Sequence, residues 1–264
     1  MAALLMMAFL SGCLATRTPS ASLPARHSVR LDNLLVLSDF RLGQNHPLIQ
    51  DLLQLRRRIA TTLNLPVQSR EVVVYLFANE RQYRKFLDTN FPDLPPRRAY
   101  FVGTPDELSI YTFWGDRVQE DLRHEFTHGL LHASLVAVPL WLDEGLAEYF
   151  EVSGIPPDGV HADYARNLQA AITNGWRPNL ERLEHLMLVQ DMTRSDYEEA
   201  WAWVHVMLHR PEWTPELLGY LSDLRQESNP TPLSQRLRGV SGDIQEVFVA
   251  YVASLSPVIR VSER

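Results

Sequence analysis

Apolar positions along the chain fall into two rhythms. In the first half, short apolar runs alternate with longer stretches of helical spacing. Leu34 to Leu37 reads as a buried strand. Pro47 then opens a helix in which Leu48, Leu52, Leu55, Ile59 and Leu63 recur every three or four residues, ending near Leu65-Pro66. Glu71 to Phe77 (E-V-V-V-Y-L-F) is β-branched and aromatic, a strand. Asn79 is placed to cap a helix over Glu80 to about Asn90. Ala99 to Gly103 and Leu108 to Phe113 read as two strands joined in a hairpin by Thr104-Pro105-Asp106-Glu107. In the second half the pattern is helical throughout. Trp141 to Phe150 follows Pro139, and candidate helices cover about 161–173, 180–189, 195–209, 215–227 and 242–254. The loop 153–159 and turns such as Asn174-Gly175 and Asn229-Pro230 separate them. The expected class is therefore α+β: a mixed strand and helix part ending in a hairpin, then an all-helical part.

Between hairpin and helical half lies Leu122-Arg123-His124-Glu125-Phe126-Thr127-His128. Positions four apart on a helix differ by about 40° around the axis, so His124 and His128 point the same way and can share one metal ion. Glu125 sits beside them, within reach of a water on that ion. Val118, Leu122, Phe126, Leu130 and Ala133 form an apolar stripe on the opposite face, which predicts a helix that buries its back and turns the histidines elsewhere. In the following helix, Glu144 and Glu148 are one turn apart among Trp141, Leu142, Leu146, Tyr149 and Phe150. Carboxylates in such surroundings require partners, because an isolated buried charge is very costly. A metal and a ligand histidine supply them. Ser109-Ile110-Tyr111-Thr112 is the candidate exposed edge along which an extended peptide could add by main-chain hydrogen bonds.

Composition narrows the function. The chain of 264 residues is 45% apolar and 22% charged, ample for a sizeable core. A net charge of −7 argues against nucleic acid as a partner. Cys13 is the single cysteine, so neither an internal disulfide nor a cysteine-based zinc site can form.

Three blocks, H-E-F-T-H at 124–128, W-L-D-E-G-L-A-E at 141–148 and Y-E-E-A-W-A-W-V at 197–204, together resemble the gluzincin metallopeptidases, the group that includes thermolysin and the aminopeptidase N and leukotriene A4 hydrolase families. Their order agrees with the family order. The resemblance implies zinc held by His124, His128 and Glu144, Glu125 as general base, and Tyr197 as hydrogen-bond donor to the oxyanion. It also implies Glu148 as the carboxylate that orients the first histidine. His205 and His209 are rivals for the Tyr197 role. Asp196, Glu198 and Glu199 read as acids near a helix start. Fifteen residues separate His128 from Glu144, fewer than in the named families, and Asp143 stands where they have Asn. The Gly-x-Met-Glu-Asn motif that binds a free amino terminus is absent, so the resemblance does not extend to aminopeptidase action. Leu131 and Ser134 occupy the positions where a metzincin has Gly and His. His132 reads as a wall residue. The activity implied is zinc-dependent hydrolysis of a peptide or protein substrate. Rival readings are a metal-binding scaffold without turnover and a hydrolase of a non-peptide amide or ester.

The N-terminus, apolar from Met1 to Leu10 and followed by Ser11-Gly12-Cys13, resembles a bacterial lipoprotein signal. The run is too short to span a bilayer. The resemblance implies a signal peptide over residues 1–12, a lipid on Cys13, and a tether over 13–28 whose small, polar, Pro-containing composition suits a flexible linker. The folded part then covers 29–264, divided as 29–138 and 139–264, and stands in the cell envelope. Under the Gram-negative sorting pattern, Leu14 rather than Asp after the cysteine favours the outer membrane.

Overall fold

A computed structural model describes residues 22–66, 70–152 and 160–256. Cys13, most of the tether and the loop 153–159 lie outside the described residues. The chain divides into two compact units: residues up to Ala60 with Pro66–Ser134, and Thr61–Leu65 with Leu135 onward. The class is the expected one, strands and helices mixed before an all-helical remainder.

The first unit contains a five-stranded sheet made of β1 (His27–Leu31), β2 (Leu34–Ser38), β3 (Val72–Phe77), β4 (Ala99–Gly103) and β5 (Leu108–Phe113), in spatial order β1-β2-β3-β5-β4. The two outer pairings are antiparallel and the two inner ones parallel; Val74 pairs with both Val36 and Ile110. All six residues of β3 are buried, as expected for a central strand covered on both faces. Helix α1 (Pro47–Thr62) joins β2 to β3, and α2 (Glu80–Asn90) follows β3. Asn79 caps α2 as its position predicts, its side chain accepting from the Gln82 N–H at 3.1 Å.

Successive side chains alternate between sheet faces. On one face Val73, Tyr75, Phe77, Tyr100 and Tyr111 pack with Tyr83, Phe86 and Leu87 of α2. Against the other lies α3 (Val118–Ser134), at whose Gly129 a Cβ would meet Val72 Cγ1 at 2.8 Å. There is no room for a side chain at that contact, so the helix carrying the two histidines rests on the sheet through bare backbone.

Two sequence expectations change here. β5 is not an edge: β3 and β4 occupy its two hydrogen-bonding sides, so Ser109 to Thr112 has no ladder to offer an added strand. The edges of the sheet are β1 and β4. The second change is β1 itself, which takes in His27 and Ser28 from the end of the stretch read as tether. Its alternation of Val29 and Leu31 with Ser28 and Arg30 is a strand pattern that the adjoining linker composition conceals. His124 and His128, turned away from the apolar stripe as expected, are fully buried.

The second unit holds α4 (Leu140–Val152), α5 (Ala162–Thr173), α6 (Leu180–Glu184), α7 (Arg194–His209), α8 (Thr214–Leu224), α9 (Leu233–Ser241) and α10 (Ile244–Ser254). Its core is aromatic: Trp203 of α7 lies 4.4 Å from Phe248 of α10 and 6.1 Å from Trp213, ring centre to ring centre. The helix expected over 180–189 is one short helix and a 3-10 turn at Val189–Asp191. Leu186, Met187 and Leu188 are consecutive rather than three or four apart. Leu180 and Leu183 therefore find burial while Met187 stays 81% exposed. Helix α9, which the Pro-containing turn before it obscures, buries Leu233 and Leu237, four residues apart. Among the described residues no helix is long and apolar enough to cross a membrane.

Candidate metal centre

Helix α3 is held in place before its chemistry begins. Arg98 pairs with Asp121 in its first turn, which is buried. Arg123 grips Asp51 of α1 with two parallel bonds of 2.8 and 2.6 Å. Bidentate pairs of this kind fix orientation as well as contributing energy. With Gly129 pressed on Val72, these contacts determine how far α3 can turn about its axis. His124 and His128 stand between them, their ring centres 4.9 Å apart, and Phe101 of β4 lies 6.1 Å from the His128 ring.

Helix α4 is fixed in the same manner. A Cβ on Gly145 would meet the Ala200 carbonyl oxygen of α7 at 2.6 Å and Val204 Cγ2 at 3.0 Å, so the two helices touch backbone to backbone beside Glu144. Glu144, Glu148 and Glu151 recur at intervals of four and three residues and share one face of α4.

The ligand atoms of His124, His128 and Glu144 all lie within 4.8 Å of one another, and all three residues are fully buried. A second group, His124, Glu148 and Glu151, meets the same limit. Two bonds of about 2.1 Å at a tetrahedral angle place donor atoms about 3.4 Å apart, so the first group fits around one ion with small side-chain adjustments. The donor set, two imidazoles and a carboxylate, is that of a zinc site with a coordination position left for water or substrate. Gathering carboxylates where water is excluded is costly unless a cation compensates them, which a divalent ion does. Glu125 is 2% exposed and adjoins the first ligand in sequence.

This is a gluzincin-like zinc-binding arrangement. No family model matches the chain, and no curated protein matches its sequence. The assignment therefore rests on geometry: a buried His/His/Glu cluster with a neighbouring glutamate, the layout typical of catalytic zinc metallopeptidase centres.

The other sequence candidates have these positions. Glu148 is buried, in the second group with His124. Tyr197 is buried near the start of α7. Ala200 and Val204 face Gly145, and Tyr197, three and seven residues earlier on the same helical stripe, lies on the α4-facing side of α7. The start of α7 is anchored by Asp196, which accepts from the Thr193 N–H at 2.7 Å and pairs with Arg182. Burial pushes the Glu199 carboxyl up, against the Asn179 N–H, the Trp203 indole and Arg182, which favour its charged form. Asp196 and Glu199 thus tie α7 to α6 rather than serving only its dipole. His205 reaches Tyr251 Oη at 2.7 Å, and His209 Nδ1 lies 2.8 Å from the His205 carbonyl. His132 lies 5.2 Å from the Phe101 ring, outside both ligand groups.

Two residues were missed in the sequence. Glu151 completes the row on α4 and could have been found by carrying the helical spacing one turn past Glu148. Tyr164 of α5, whose hydroxyl donates to Glu148 Oε2 at 3.1 Å, carries no such signal, since it lies beyond the loop 153–159.

Proposed function

We propose that this protein is a zinc-dependent peptide-bond hydrolase anchored to a bacterial envelope by a lipid on Cys13. The observation that carries the hydrolase reading is the convergence of His124, His128 and Glu144 with Glu125 adjacent to the first of them. A scaffold that merely holds a metal has no use for that fourth side chain. Zinc held by the three ligands would supply Lewis acidity toward a water and the substrate carbonyl.

The remaining steps belong to the protein's own residues. Glu125 accepts a proton from the attacking water as the new carbon–oxygen bond forms. Tyr197 donates its phenol O–H to the carbonyl oxygen as negative charge develops there. Glu125 then delivers its proton to the amine nitrogen as the carbon–nitrogen bond breaks. Glu148 accepts from the His124 ring and fixes its tautomer, as carboxylates beside ligand histidines do.

The test pairs metal analysis of the purified protein with a cleavage screen on unfolded protein and mixed peptides. One zinc per chain, with cleavage that disappears on chelation, is the expected result. Zinc without cleavage of any peptide, alongside hydrolysis of amide or ester substrates, would move the reading to a non-peptide substrate. The anchor is supported by the apolar run ending in Leu10-Ser11-Gly12-Cys13. Expression with a labelled fatty acid should mark the wild-type chain and leave Cys13→Ser unmarked; equal labelling sinks the anchor.

A further inference from the structure

Glu148 has a partner that belongs to neither ligand group. Its Oε2 accepts the Tyr164 hydroxyl at 3.1 Å. The Tyr164 ring is clamped in turn: His161 stacks on it with centres 3.7 Å apart and planes within 9°, and Trp201 meets its edge at 6.0 Å. His161 also caps α5, its Nδ1 accepting from the Tyr164 N–H at 3.4 Å. Burial, the charge of Glu148 and the hydrogen bond to it hold the Tyr164 phenol above its ordinary pKa. Tyr164 therefore stays a donor at any physiological pH.

The terminal torsion of a glutamate is broad and roughly two-fold, so an unrestrained carboxylate samples many orientations. His124 has both Glu148 and Glu151 within the same 4.8 Å limit. A carboxylate that swings between orientations is a poor director of an imidazole ring. One with an oxygen pinned by a rigid phenol keeps its plane in a constant direction.

We infer that Tyr164 is a positioning residue for the metal centre: its hydroxyl fixes the Glu148 carboxylate, which holds the His124 imidazole in its ligating orientation. This rests on the zinc reading of the first ligand group. Removing a partner of a ligand side chain weakens metal affinity by about 10- to 100-fold. Tyr164 acts one step further out, so its loss should weaken zinc binding by about three- to tenfold, at the lower end of that scale or below it.

The experiment measures zinc affinity by chelator competition for wild type, Tyr164→Phe, Glu148→Ala and the double variant. Phenylalanine keeps the stack on His161 and removes only the hydroxyl. Weaker zinc binding by Tyr164→Phe in the wild-type background, with no further loss beside Glu148→Ala, is the expected result. Equal affinity of Tyr164→Phe and wild type overturns the inference. So does an equal loss in both backgrounds, since Tyr164 would then act through packing rather than through Glu148. Should Tyr164→Phe fold poorly, Tyr164→His, which keeps a ring and a donor, must recover more affinity than Tyr164→Leu, and identical losses count against the role. Absence of zinc binding by wild type would bring down the metal reading itself, a distinct outcome from a zinc-loaded protein indifferent to residue 164.

Discussion

Helices α2 and α3 pack on opposite faces of one sheet and follow different rules. Helix α2 is a conventional amphipathic segment: Tyr83, Phe86 and Leu87 are buried, while Glu80, Arg81 and Gln82 face water. Its partners are aromatic rings, with Phe86 5.3 Å from Phe77 and 5.4 Å from Tyr111. Helix α3 buries Asp121, His124, Glu125, Thr127 and His128 together with its leucines. Polar groups enclosed in this way reduce stability unless something compensates them. The first face is thus built for stability alone. The second encloses polar groups, some of them paired within the unit, as Asp121 is with Arg98, and its two histidines join the ligand cluster; that contrast locates the chemistry more firmly than any single motif.

The contrast can be sharpened or broken by substitution. The largest effect expected is on turnover: Glu125→Gln should lower kcat by about 10²- to 10⁴-fold, the usual worth of a general base, while zinc content stays at one per chain. Retained activity in that variant removes Glu125 from the mechanism. On the other face, Phe86→Ala should cost about 3–5 kcal/mol of stability with zinc stoichiometry unchanged, as read by denaturant unfolding and metal analysis. If zinc content fell in step with stability, the two faces would not be separable.

Metal removal comes next. Zinc at a hundred times its dissociation constant stabilises by about 2.7 kcal/mol, so chelation should lower Tm measurably and Glu144→Ala should abolish most of that difference. A chelator-insensitive Tm speaks against an ion at the three ligands. Gly145→Ala places a methyl against the Ala200 carbonyl, and overpacking of this kind costs about 1–3 kcal/mol. Because Glu144 adjoins it, zinc affinity should fall as well. Asn79→Ala, which removes only the cap of α2, should cost about 1 kcal/mol and leave both zinc and turnover alone.

The same contrast explains what could be read from the residues beforehand. The bounds of α2 and of the β4–β5 hairpin follow from local signals, a cap and a turn, and the structure reproduces them. The ligand triad was legible because helical spacing aligns His124 with His128, and because Glu144 sits in an apolar helix where a buried carboxylate requires partners. The edge at Ser109–Thr112 was misread, since strand order depends on pairings far apart in the chain and β3 reaches β5 past an intervening helix and strand. Tyr164 could not be found from spacing at all. Its partner Glu148 is sixteen residues away, on a different helix.

The contact between Gly129 and Val72 has a consequence for how this chain can diverge. Position 129 neighbours a ligand histidine, and a methyl group there would push the helix off the sheet and carry the imidazole with it. A descendant sequence could gain alanine at 129 only by trimming the residue at 72, so the two sites should change in tandem or stay as they are. In a collection of distant relatives, that linked pair would betray the shared architecture even where the surrounding letters have drifted beyond recognition.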